Sequence, residues 1–173
     1  MLISLFIPAM QAGREAWRRI ECLENMQRLT FALLLYEKEH GTLPDGDWRE
    51  AVKPYLGENA ELYFRCPSHR VVDAEGKWRE LEGTTTYAMV SNVPNLTSSP
   101  NQVLLVEVLQ PQKLGEGDGR IPFEQANFEN ALGSNHAGGT NVGMRSGTVR
   151  FITKTIELDK WRSLLDGSAE TLP

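Results

Sequence analysis

An α+β fold, with one long N-terminal α-helix packed on an antiparallel β-sheet and short helices beside them, is what this sequence predicts. Three observations lead there. A helical hydrophobic period runs from Met10 to His40, β-branched segments follow it, and the connections between those segments are too short for the crossovers of a parallel sheet. Helix first and strands afterwards place the sheet on the C-terminal half of the helix. The chain has 173 residues and shows no internal repeat and no linker. A single domain is therefore expected, with residues 1–41 as a helical stem and residues 42–173 as an α+β head.

In the stem, Trp17, Ile20, Leu23, Met26, Leu29, Leu33 and Tyr36 recur at three- and four-residue steps, so they are expected to form one buried face. Gly41 stands where a C-terminal cap belongs. A helix from Met10 to His40 is about 46 Å long, against about 40 Å for a compact domain of this size. Its N-terminal end should therefore protrude, leaving the head to cover only the Ile20 to Tyr36 portion. Pro8 either opens the helix at its first position or kinks a longer helix arriving from upstream.

Asp47-Trp48-Arg49-Glu50 resembles a capping box, and the short helix it opens should stop near Leu56 and Gly57, with Pro54 making its last turn irregular. Thr84 to Ser91 and Gln102 to Leu109 read as strands, the second bounded by Pro100 and Pro111. Asn141 to Arg145 and Thr148 to Thr153 flank Ser146-Gly147, a two-residue hairpin turn. Glu157 to Leu165 carries Leu158, Trp161, Leu164 and Leu165 at helical intervals and ends at Gly167. Leu114 to Gly119 and Asn130 to Gly139 are loops by their glycine and asparagine content.

The charge balance, 18 Lys and Arg against 23 Asp and Glu, speaks against a phosphate backbone as partner, so no nucleic acid is expected. The apolar run Leu2, Ile3, Leu5, Phe6, Ile7 is far short of the roughly 20 residues of a membrane span. It also lacks the basic start and small-residue cleavage site of a signal peptide, so the chain as given is expected to be soluble.

Three sets of residues invite a chemical reading. Cys22, His40, Cys66 and His69 make a two-Cys, two-His zinc set on paper, although Pro67 and Ser68 suit a turn and His40 suits a helix C-terminus equally well. His136 with Ser134 or Ser146 would be the start of a hydrolase, but no nucleophile elbow accompanies them. The reading favoured for His136 is a loop histidine whose ring ties the Asn135 to Thr140 turn to the sheet, with no catalytic residue in the chain. Lastly, Glu116, Asp118, Glu124 and Asn127 offer hard oxygen ligands.

Taken in order, several segments resemble a known family. The stretch IPAMQAGREAWRRIECLENMQRLTFALLLYEKEHGTLP is similar to the stem of prepilin-type, type II secretion protein G-like proteins. Phe64-Arg65-Cys66-Pro67-Ser68 resembles that family's Cys-Pro-Ser element, and Thr86-Tyr87-Ala88-Met89 the strand after it. His136 to Gly147 resembles the His-x9-Asp-Gly signature, with Ser146 in place of the aspartate, and TIELDKWRSLLDGSAE the usual ending.

The resemblance implies a pilin-like fold and a structural, non-enzymatic subunit of a type II secretion or type IV pilus-like filament, exposed on the outer, periplasmic side of the inner membrane. Its partners would be like or unlike pseudopilins, met through the N-terminal helix, and the membrane, met through a segment upstream of which Met1 to Ile7 would be the far end. Arg14, Arg18 and Arg19 sit where the positive-inside rule expects cytoplasm, so a basic leader would have to set the opposite orientation. An extracytoplasmic location favours a Cys22–Cys66 bridge, with two buried free thiols as the alternative. Members of the resembled family often carry calcium in a C-terminal loop, which makes Glu116 and Asp118 the metal candidates and an extracytoplasmic binding module the alternative function. His136, Ser146 and Gly147 take a structural role.

Overall fold

A computed structural model describes residues 3–69, 71–72, 78–79, 83–93, 99–113, 115–127, 132–133, 136 and 138–170. The elements run α1 (Ile3–His40), α2 (Trp48–Leu56), a 3₁₀ turn (Ala60–Phe64), β1 (Val71–Val72), β2 (Trp78–Arg79), β3 (Thr84–Ser91), β4 (Val103–Lys113), β5 (Arg120–Pro122), a 3₁₀ turn (Phe123–Gln125), β6 (Gly139–Met144), β7 (Val149–Thr153) and α3 (Leu158–Asp166). This is the expected α+β, pilin-like arrangement. Met1 and Leu2, Leu114, Ser134 and Asn135, and part of the Asn130 to Gly139 loop lie outside the described residues.

Helix α1 has 38 residues and begins upstream of Pro8, so the reading in which Pro8 opens the helix is replaced by one that runs through it. The helix ends as expected, Gly41 adopting φ +80 and donating its N–H to Glu37 O. Asp47 caps α2 by accepting from the Arg49 N–H at 3.0 Å. Gly147 at φ +82 allows the tight turn between β6 and β7, and Gly167 at φ +81 closes α3.

The main sheet has the order β5-β3-β4-β6-β7. All its pairs are antiparallel except β3–β5, which is parallel because the two strands are separated in sequence by the one strand, β4, that reverses direction between them. Strand β4 runs on to Lys113, past the Pro111 expected to bound it. The register slips between the Tyr87–Glu107 and Thr85–Gln112 pairs, and Pro111 falls in that irregular stretch, where no ladder bond is asked of it.

Helices cover both faces of the sheet. Tyr87, Met89 and Leu105 face α1, while Ala88, Val90 and Val106 face the α3 side, where Trp161, Leu164 and Leu165 are buried. Burial on both faces accounts for the nearly unbroken apolar sequence of β4. Stem and sheet approach closely at Gly143, where an added Cβ would lie 2.1 Å from Thr30 Oγ1.

The buried face of the stem differs from the one expected. Cys22, Met26, Leu29 and Leu33 are fully buried, whereas Trp17 is 68% and Ile20 53% exposed. At about 100° per residue, the buried four fall within one arc of about 60°. Met10, Trp17, Ile20, Phe31 and Leu35, all about half exposed or more, fall within an arc of about 80° almost opposite. The stem thus carries two apolar stripes, and the periodicity that joins Trp17 and Ile20 to Met26 and Leu29 merges them.

Candidate metal centre

Four chain segments converge between stem and sheet. Helix α1 supplies Cys22, the turn after the first 3₁₀ segment supplies Cys66, the middle of β4 supplies Glu107, and the loop before β6 supplies His136. One ligand atom from each lies within 4.8 Å of all the others, and all four residues are buried. Among the described residues this is the group of three or more His, Cys, Asp or Glu side chains so placed.

The local structure explains the convergence. Cys22 lies on the inward stripe of α1, one helical turn before Met26. Cys66 is held by its backbone N–H, which donates to Thr86 Oγ1 at 2.8 Å. Glu107 points to the stem because β4 alternates faces and Val106 and Val108 take the other side. Within the cluster, Cys22 Sγ lies 3.5 Å from Glu107 Oε1 and Cys66 Sγ 3.4 Å from His136 Nε2.

A second layer of side chains orients these four. Tyr87 Oη is 3.2 Å from Cys22 Sγ. Asn141 Nδ2 donates both to Cys22 Sγ at 3.5 Å and to Glu107 Oε2 at 3.3 Å. Glu15, seven residues before Cys22 on the stem, accepts from Ser68 Oγ at 2.9 Å and faces His136 Nδ1 at 3.1 Å through the same oxygen. A carboxylate on Nδ1 selects the tautomer whose Nε2 lone pair points into the cluster.

The electrostatics follow from burial and from these bonds. Hydrogen bonding from Cys66, aided by His136 and Tyr87, outweighs burial and draws the Cys22 thiol down to about 5. Cys66 is pushed up by that same bond and by burial. Burial first, then the charge of Cys22, holds the Glu107 carboxyl well above the usual carboxylate range. For His136, burial opposes the charged ring, but the bonds and charges of Cys22 and Glu15 outweigh it and raise its pKa.

The other expected positions resolve as follows. Cys22 and Cys66 do come together, as free thiols. Of the paper zinc set, His40 is excluded because it stacks on Tyr36 at the far end of α1, with ring centroids 4.0 Å apart. His69 lines a pocket beside Cys66 but stands outside the cluster. His136, whose ring was expected to tie the Asn135 to Thr140 turn to the sheet, has its ring nitrogens facing Glu15 of the stem and Cys66. Ser146 Oγ pairs with Thr148 Oγ1 at 2.9 Å in the exposed hairpin, away from His136.

The acidic loop serves guanidinium groups. Arg49 Nη2 donates to Glu116 O at 3.1 Å and Gly117 O at 3.0 Å, and the Asp118 carboxylate accepts from the Arg120 N–H at 3.1 Å. The backbone carbonyls of Glu116 and Gly117 thus answer to Arg49, and among the described residues Glu116, Asp118 and Glu124 are not drawn into a convergent set.

Sequence reasoning found Cys22 and Cys66 but missed Glu107, Glu15, Tyr87 and Asn141 as their neighbours. The available signal was Glu107 itself, a single carboxylate inside the apolar run Val103 to Val108. A family model described as Protein of unknown function (DUF1559) matches residues 11–59 and 111–159, more than half of the chain. Cys22 and His136 fall in the matched segments, and Cys66 and Glu107 between them. No curated protein and no solved structure matches the chain.

Proposed function

The chain belongs to the DUF1559 family, a family of bacterial secreted, pilin-like proteins, and on that premise we propose that it is a structural pseudopilin-like subunit. It would pack into a type II secretion or type IV pilus-like filament on the outer side of the inner membrane, with no reaction of its own. Among the described residues no helix is long and apolar enough to cross a membrane.

The observation that carries the reading is the outward stripe of α1. Met10 precedes the head's contacts with the stem, which reach back to Glu15, while Trp17 and Ile20 lie on the face turned away from the head, and the three are 58%, 68% and 53% exposed. An apolar stripe along a protruding helix, opposite the one already buried, is what a second helix in a bundle would cover. Two of the nearby arginines are engaged locally, Arg18 with Glu15 at 3.5 Å and Arg19 over the Phe151 ring at 5.4 Å. On the helical wheel both stand beside the inward stripe, clear of the outward one.

The test is photocrosslinking from position 17 in the full-length protein in its native cells. A ladder of covalent oligomers that disappears in Ile20→Asp/Phe31→Asp supports the reading. Adducts no larger than the monomer from positions 10, 17, 20 and 35 would refute it.

A further inference from the structure

We infer that Cys22, Cys66, Glu107 and His136 together bind one zinc ion, which staples the stem helix to the head. This goes beyond the filament reading and does not depend on it.

The first ground is the donor set. Two sulfurs, one imidazole nitrogen and one carboxylate oxygen are ligands that suit tetrahedral zinc. Zinc–sulfur bonds of about 2.3 Å and zinc–nitrogen or –oxygen bonds of about 2.1 Å give sulfur-to-nitrogen and sulfur-to-oxygen edges of about 3.6 Å in a tetrahedron. The two such edges observed are 3.5 Å for Cys22–Glu107 and 3.4 Å for Cys66–His136.

The second ground is the orienting layer. The Glu15 carboxylate on His136 Nδ1 reproduces the carboxylate–histidine pairing that fixes metal-bound imidazoles. Asn141 donates to a sulfur and a carboxylate oxygen of the same cluster, and Tyr87 Oη reaches the Cys22 sulfur, so the lone pairs left over by coordination have partners. A disulfide would use up the two sulfurs and leave Glu107 in the core facing the Asn141 amide. Buried carboxylates are otherwise paired or coordinated.

The third ground is access. Cys66 lines a surface pocket of about 180 Å³ together with Glu21, Asn25 and His69, which brings solvent up to one edge of the cluster. The four ligands come from four separate segments, and coordination would join them at one point.

The experiment uses the whole chain, reduced and stripped with a chelator, then titrated with zinc against a chromophoric competitor and, separately, with cobalt(II). One zinc per chain, a cobalt spectrum with thiolate charge-transfer and tetrahedral bands, and a rise in Tm of about 5 to 10 °C at zinc a hundredfold above Kd are expected. Glu15→Gln, at a half-exposed position, should weaken binding about tenfold with the fold intact, while Cys22→Ser should weaken the cobalt charge-transfer band and Cys22→Ser/Cys66→Ser should abolish it. The proposal is overturned if the reduced wild-type chain binds no zinc, if binding survives unchanged in Cys22→Ser/Cys66→Ser, or if protein from metal-replete cells carries a Cys22–Cys66 disulfide and no zinc.

Discussion

The sulfur of Cys22, on the stem helix, lies 3.5 Å from the carboxylate of Glu107, in the central strand of the sheet. The contact spans 85 positions of sequence and occurs where both groups are shut off from solvent. Burying a carboxyl group in a sheet core is costly unless it has partners, and here Asn141 and Cys22 provide them.

Glu107→Ala therefore removes more than packing. It leaves a void and takes from the Asn141 amide one of its acceptors, Cys22 Sγ remaining, and should cost about 2 to 4 kcal/mol. Urea unfolding of the metal-free, reduced protein measures it, and a loss below about 0.5 kcal/mol would show that the carboxyl is not held as described.

Stem packing at Thr30 makes a second prediction. Gly143→Ala places a Cβ 2.1 Å from Thr30 Oγ1 and should cost about 1 to 3 kcal/mol. Thr30→Ala/Gly143→Ala should recover most of that loss, so the double-mutant cycle must show coupling.

The outward stripe predicts an asymmetry within one helix. Trp17→Asp should leave the stability of the isolated chain within about 0.5 kcal/mol, because Trp17 is largely exposed, whereas Leu29→Ala should cost about 2 to 5 kcal/mol at a fully buried site. Equal effects in thermal or chemical denaturation would contradict the assignment of the two stripes.

A pH dependence follows from Asp47. Burial raises its pKa, but its bonds to the Arg49 side chain, at 2.7 and 2.8 Å, outweigh this and hold the carboxyl below its ordinary value. Because the folded pKa is the lower one, the stabilisation is present above the unfolded value of about 3.9 and fades as pH falls through the folded value. Asp47→Asn should thus cost about 1 to 3 kcal/mol at pH 7, since Arg49 is fully buried. The gap from wild type should narrow below about pH 4. A gap that is constant from pH 7 to pH 3 would rule this out.

Much of the fold was legible because its signals are local. Asp47 next to Trp48 and Arg49 starts a helix, Ser146-Gly147 closes a hairpin, and Gly167 stops α3, each through the backbone preferences of a few neighbouring residues. The end of β4 was misplaced because proline bars only a regular ladder, and the bulge that admits Pro111 depends on how β3 pairs beside it.

What the sequence by itself determined is the three α-helices, the strands β3, β4, β6 and β7 and the turn between the last two, together with the presence of two cysteines on a stem and a loop, while β1, β2 and β5 went unread. Which apolar stripe of the stem faces inward was decided by the sheet, because a period of 3.6 fixes the spacing of a face but not its direction. The meeting of Cys22, Cys66, Glu107 and His136 is likewise tertiary: no spacing in the chain encodes it. It arises because helix α1 crosses the central strand at the one position where an alternating apolar run carries a carboxylate on the stem side.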